Sequence, residues 1–346
     1  MTRRDLLELG IAGLFFVAAG AAHYAHATPV LAFAVAALAI AVLARLVGSA
    51  TEQLGGRLGS SVAGVVQSAL GNLPELFIAF FALHDGLIAV VQAALVGSVI
   101  ANSVLVLGLA FLVGGAINGT QRFNSPRART IATLTTLAAT ILALPSLAHA
   151  FHAPAAAHEK SLSLICAGVL MVLFFVTLPG FLAGGDEQGG EPPRWTLATT
   201  VIVLGGAGVA AAFVSDWFVS ALKPATEALG MSEAFAGLVV VAIAGNAVEN
   251  VVGVQLAARN RPDFAISVIV NSALQVALLL TPVVVFGSLF FATTLTLVFP
   301  TLLALSLLVA AAITSLVVYD AESTWEEGAM LVGLYIVLAA SFWWGA

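Results

Sequence analysis

The chain reads as an all-α, polytopic membrane protein of about eleven transmembrane helices: two inverted-topology five-helix repeats plus one extra N-terminal helix. Three observations predict this. Of 346 residues, 61% are hydrophobic and only 9% charged, where a soluble domain carries about 25% charged residues. Apolar runs of about 20 residues, the length a bilayer requires, recur along the whole chain between Pro, Gly and charge clusters. The chain also matches itself: GNLPELFIAFFALHDG (71–86) and GNAVENVVGVQLAARN (245–260) share a Gly-Asn-x-x-Glu core at an offset of 174 residues.

Taken in order, the spans fall at 6–27, 29–49, 60–84, 86–117, 127–150, 160–183, 195–221, 232–258, 262–289, 292–318 and 324–344. The first follows TRRDLL and ends near Ala25-His26-Ala27, which resembles a twin-arginine signal with a cleavage site. Its apolar run is long enough to span and ten spans follow, so it is read as a retained helix anchored by Arg3 and Arg4. Residues 49–59 (SATEQLGGRLG) are too polar to span and are expected as an interfacial turn or short amphipathic helix.

With a cytoplasmic N-terminus, the inner ends hold Arg3, Arg4, Arg45, Arg57, Arg122, Arg127, Arg129, Arg194, Arg259 and Arg261, and the outer ends only Lys160 and Lys223. The positive-inside rule supports that orientation in a cell (inner or plasma) membrane and, with eleven spans, an outer C-terminus. All the histidines (His23, His26, His84, His149, His152 and His158) then fall at outer ends. The units are an extra helix (1–27), a first repeat (28–183), a cytoplasmic linker, GGDEQGGEPPR (184–194), and a second repeat (195–346). Five spans per repeat is an odd number, so the two halves cross in opposite senses and the helices bearing Glu75 and Glu249 run antiparallel. The linker reads as a flexible connector.

The self-match extends beyond its core. Ala50-Thr51-Glu52 is echoed by Ala225-Thr226-Glu227, Gly64 by Gly237 and Ser98 by Ser272. An ionisable residue within a span is costly and marks function; two repeat-related carboxylates, Glu75 and Glu249, stand well inside theirs. Each follows a Gly-Asn pair, Asn72 or Asn246, and Pro74 directly precedes Glu75, so a broken helix is expected where the carboxylate sits. Freed carbonyls and carboxylates are hard oxygen donors suited to Ca2+, and the segments carry no thiolate or imidazole to favour zinc or copper. The following helices bring Gly97, Ser98 and Asn102, and Asn271, Ser272 and Gln275; their neutral oxygens can complete a shell of six or more ligands, and their small residues let backbones approach. Without metal, repulsion and desolvation favour protonated carboxyls, whereas a divalent ion requires the charged forms. Cation and proton therefore compete for the same oxygens, the coupling an antiporter needs.

Other polar residues read more plainly. Glu52, Glu227 and Glu233 lie near membrane boundaries, where a solvated helix end is the simpler account and gathering of cations the functional one. Asp216 has no acidic twin. His149, His152 and His158 have irregular spacing and read as exposed. Asp320, Glu322, Glu326 and Glu327 read as a solvated inner loop. Cys166, the single cysteine, excludes an intrachain disulfide and reads as a small buried thiol. No basic patch points to nucleic acid, no cofactor is expected, and self-association is left open.

At these motifs the chain resembles the Ca2+/H+ exchangers of the CAX type, within the Ca2+/cation antiporter superfamily. The resemblance rests on ATEQLGGRLG, GNLPELFIAFFAL, VVQAALVGSVIANSVLVLG, GNAVENVVGVQLAARN and the SALQVAL run, and it covers nearly the whole chain. It implies a cation site of the two glutamates with nearby Asn, Gln and Ser groups, and Ca2+ exchange driven by a proton gradient; it transfers to Glu75, Glu249, Asn102 and Gln275. Two departures stand out. The family often has His after the second glutamate, where this chain has Asn250, and Gly before the second serine, where it has Asn271. The first changes the titratable groups near the site and the second adds an amide, so Na+/Ca2+ or another cation exchange is the alternative. Tyr319-Asp320 lacks the GxGD partner of an intramembrane aspartyl protease, and neither HExxH nor a nucleophile elbow occurs. A buried carboxylate pair would trap a divalent ion rather than conduct it, which argues against a passive channel.

Overall fold

The computed structural model describes residues 1–57, 70–183 and 193–345, helical over most of their length. Helix α1 (Arg3–Tyr24) opens on a capping box in which Thr2 Oγ1 accepts from the Asp5 N–H and the Asp5 carboxylate accepts from the Thr2 N–H. Proline at the start of α2 (Pro29–Gly55) supplies a preset φ where its missing N–H costs nothing. Then follow α3 (Leu73–His84), α4 (Ile88–Asn118), a short strand β1 (Gln121–Arg122), α5 (Ser125–Ala150) and α6 (Glu159–Ala183). The second half comprises α7 (Leu197–Leu229), α8 (Glu233–Gly245), α9 (Ala247–Ala258), α10 (Pro262–Phe290), α11 (Thr301–Tyr319), strand β2 (Glu322–Ser323) and α12 (Trp325–Phe342). Among the described residues nine helices are long and apolar enough to cross a membrane, ten if the bent pair α8 and α9 forms one span. The expected span at 60–84 is described from residue 70 onward; Gly64 and most of the linker lie outside the described residues.

Two expected boundaries are corrected. The polar stretch at 49–59 is not an interfacial turn from its start: α2 stays helical to Gly55 because Thr51 and Gln53 turn inward. Gln53 Oε1 there accepts the backbone N–H groups of Arg194 at 2.7 Å and Trp195 at 3.1 Å. The tenth span starts at Thr301, not 292, and residues 291–300 are extended, with Leu295, Leu297 and Phe299 buried in alternation.

The packing pairs elements that the sequence match relates. Helix α2 lies along α7 and α5 along α11; α4 packs on α12 as α10 packs on α6; α3 meets α7 as α8 and α9 meet α2. Strands β1 and β2 join the α4–α5 and α11–α12 loops, antiparallel with Gln121 opposite Ser323 and Arg122 opposite Glu322. An Arg122–Glu322 ion pair at 3.0 Å closes this ribbon. At the centre α4 crosses α8 at close range: a Cβ on Gly97 would stand 2.5 Å from the Leu238 Cα, and one on Gly237 2.5 Å from the Val90 carbonyl. Only glycine permits that crossing.

Candidate cation site

Both acidic helices are interrupted just before their carboxylate. The breaks fall at Asn72 (φ −93°, ψ 15°) and Asn246 (φ −97°, ψ 21°), and α8 and α9 meet there at 64°. Glu75 and Glu249 consequently occupy the first turns of α3 and α9, where the aligned peptide dipoles present their positive ends to a carboxylate. The duplicated motif therefore places each acid at a half-helix N-terminus within the apolar layer, an arrangement suited to holding a charge that later meets a cation.

Asn246 is the hub. Its Nδ2 donates to Glu75 Oε1 at 2.6 Å, to Ser98 Oγ at 3.1 Å and to the Ala242 carbonyl at 2.9 Å. Its Oδ1 accepts from Asn102 Nδ2 at 2.9 Å and Ser272 Oγ at 3.2 Å. Ser98 Oγ donates to Glu75 Oε1 at 2.6 Å, and Asn102 Nδ2 also reaches Ser272 Oγ at 3.3 Å. Five of the eight expected residues thus form one buried cluster drawn from α3, α4, α10 and the break between α8 and α9. Glu75 Oε2 and Asn102 Oδ1 are buried and accept no hydrogen bond from any described residue; two such oxygen acceptors in one buried cluster are what a hard cation binds.

The remaining three sit around this cluster. Glu249 is half-buried and close enough for its charge to act on Glu75 and to feel Glu52 of α2. Asn72 is buried at the other break, and Gln275 is half-buried on α10, three residues past Ser272. An apolar pocket extends from Glu75 and Ser98 along α3 and α4, walled by Ile78, Ala82, Val91 and Leu280. Such walls keep water from the carboxylate on that side.

Three features escaped the sequence reading. The first is the closeness of Gly245 to Glu75, whose Cγ would lie 2.4 Å from a Cβ at that glycine; the motif carried this signal without its partner. The second is a set of π turns, at Ala101–Val106 in α4 and Val276–Leu280 in α10, at repeat-related positions beside the site. In the first of them the Ser103 carbonyl accepts from Thr314 Oγ1 at 3.0 Å. The third is that Asn250 and Asn271, the two departures, each keep a buried amide oxygen without a donor among the described residues. Among the described residues no group of three His, Cys, Asp or Glu side chains could hold a metal.

The chain is similar along most of its length to characterised transporters. It is 34% identical over 325 residues to the Ca2+/H+ antiporter ChaA of Bacillus subtilis (strain 168), covering 90% of this chain and 91% of that one. Identity to the Ca2+/H+ antiporter of Aphanothece halophytica is 31% over 345 residues, covering 92% of each. The solved structure of native YfkE superposes with a TM-score of 0.85 at 30% identity, covering 97% of this chain and 99% of that one. The H+/Ca2+ exchanger CAX shares the fold, with a TM-score of 0.77 at 17% identity over 99% of this chain and 92% of that one. The family described as sodium/calcium exchanger protein matches twice, over residues 28–182 and 199–344. With that double match and these relatives, the chain belongs to the sodium/calcium exchanger protein family.

Proposed function

We propose that this chain is a secondary antiporter that exchanges Ca2+ for H+ by alternating access, with Glu75 and Glu249 binding the cation and protons in turn. The observation that carries the site assignment is the Asn246-centred cluster, in which Glu75 Oε2 and Asn102 Oδ1 are buried acceptors without a donor among the described residues. Ser98, Ser272, Asn72, Asn246 and Gln275 supply or position the neutral oxygens. A divalent ion needs both carboxylates charged, and a dry site without metal does not tolerate two adjacent charges, so cation release and proton uptake are one event. The protein lies in the cell membrane with its N-terminus inside, and residues 28–183 and 195–346 are its inverted halves.

The test is uptake of Ca2+ into proteoliposomes under an imposed pH gradient. Glu75→Gln and Glu249→Gln keep the size and shape of the side chain while removing its charge, and each is expected to abolish exchange in a protein that still elutes as a folded species. Normal pH-driven flux in both variants would refute the assignment. Replacing Ca2+ by Na+, K+, Mn2+ or Mg2+ in the same liposomes decides ion choice.

A further inference from the structure

The extended segment 291–300 is irregular backbone at the end of an apolar helix, where unpaired N–H and C=O groups are costly. Its second half, residues 295–299, is tied by side chains instead of a neighbouring strand. On one edge the N–H groups of Leu295, Leu297 and Phe299 donate to Ser288, Ser163 and Ser146 Oγ at 2.8, 2.9 and 2.8 Å, and Ser146 Oγ donates back to the Leu297 carbonyl at 3.0 Å. On the other edge the Thr296 and Val298 carbonyls both accept from Gln92 Nε2, each at 3.0 Å. Gln92 is buried on α4, six residues before Ser98. Just before the segment, Phe291 stacks on Phe80 of α3 with ring centroids 5.8 Å apart.

The opposite end of α4 is tied in the same way. Asn118 Nδ2 donates to the Ala257 and Ala258 carbonyls, each at 3.2 Å, and Gln121 Nε2 to the Ala257 carbonyl at 3.0 Å. Helix α4 is therefore fastened by amide side chains at one end to the segment following α10 and at the other to the C-terminus of α9. Those helices carry Ser98 and Asn102, Ser272, and Glu249. We propose that residues 291–300 are a fixed brace, not a gate, and that Gln92 is a positioning residue that sets the register of α4 against α10. This rests on the proposed Ca2+/H+ exchange.

In a Cys166→Ala background, Gln92→Cys with Thr296→Cys removes the amide tie and allows a bifunctional methanethiosulfonate, which couples to both thiols through reducible disulfides, to replace it. Before cross-linking, the apparent KM for Ca2+ is expected to rise about tenfold or more, since both Gln92 hydrogen bonds are lost and a net buried hydrogen bond contributes up to about that factor, with the rate at saturation retained. Cross-linking is expected to bring KM back towards that of the unsubstituted protein while uptake continues. Cross-linking that stops uptake, with recovery on reduction, would make the segment a moving gate and overturn the proposal; an unchanged KM before cross-linking would remove Gln92 as a positioning residue. Should the double variant not fold, Ser146→Ala, which removes a single oxygen on the other edge, must raise KM in the same sense or the brace is refuted. Absence of pH-driven uptake by the unsubstituted protein would sink the exchange reading itself, so the two failures are distinguishable.

Discussion

The sharpest perturbation of the site is a single methyl group at Gly245. A Cβ there would stand 2.4 Å from Glu75 Cγ, 2.8 Å from Oε1 and 2.9 Å from Cδ. Carbon atoms rest about 3.5 Å apart, so the overlap with Cγ is about 1.1 Å (3.5 − 2.4), more than local adjustment absorbs. The side chain of Glu75 must swing away, giving up its bonds to Ser98 and Asn246, both at 2.6 Å. Hydrogen bonds to a charged group contribute about 1.5–3 kcal/mol each, so roughly 3–6 kcal/mol of site organisation is lost. At 1.4 kcal/mol per factor of ten, Gly245→Ala should weaken Ca2+ binding by at least about a hundredfold. The chain should still fold, because a side chain gives way and not backbone. Ca2+-dependent thermal shift and pH-driven flux in liposomes read both effects. Gly208→Ala on α7, where nothing lies within 4 Å of the added Cβ, is the silent control. Native Ca2+ affinity and flux in Gly245→Ala would refute the placement of Glu75 against the break.

Other consequences follow from the same geometry. At Gly97 the added Cβ would meet backbone, 2.5 Å from the Leu238 Cα and 2.6 Å from its carbonyl oxygen, so Gly97→Ala should cost about 1–3 kcal/mol of stability, seen as a lower Tm in detergent. Because the acids must shed protons to bind metal, acidifying the medium should raise the apparent KM for Ca2+ by about tenfold per pH unit for each proton displaced; a KM independent of pH would break the competition. Gln53→Ala leaves the Arg194 and Trp195 N–H groups without their acceptor, at a cost of about 1–3 kcal/mol. Limited proteolysis should then cut faster near residue 193, with Ca2+ affinity unchanged.

The brace and the hub show where sequence reading stops. Gln92, Ser146, Ser163 and Ser288 are ordinary polar residues in apolar runs, separated by up to nearly two hundred positions, and nothing in their spacing says that they hold one strand. Residues 291–300 looked like the start of a span because they are apolar; they leave the helix where side chains take the N–H groups of Leu295, Leu297 and Phe299 and the carbonyls of Thr296, Leu297 and Val298 in place of helical partners. Likewise 49–59 was polar enough to suggest an interface, yet Gln53 is polar in order to catch the linker's end.

From the amino-acid order alone came the membrane-spanning class, the duplication, the twin acids and the expectation of broken helices. These depend on composition, period and local backbone chemistry, which are written along the chain. The order could not say that Asn246 of one half bonds Glu75 of the other while Glu249 stays half-buried beside Glu52. That asymmetry belongs to folding, because two copies of one motif must share a single dry volume, and only packing of helices far apart in sequence selects which donor meets which acid.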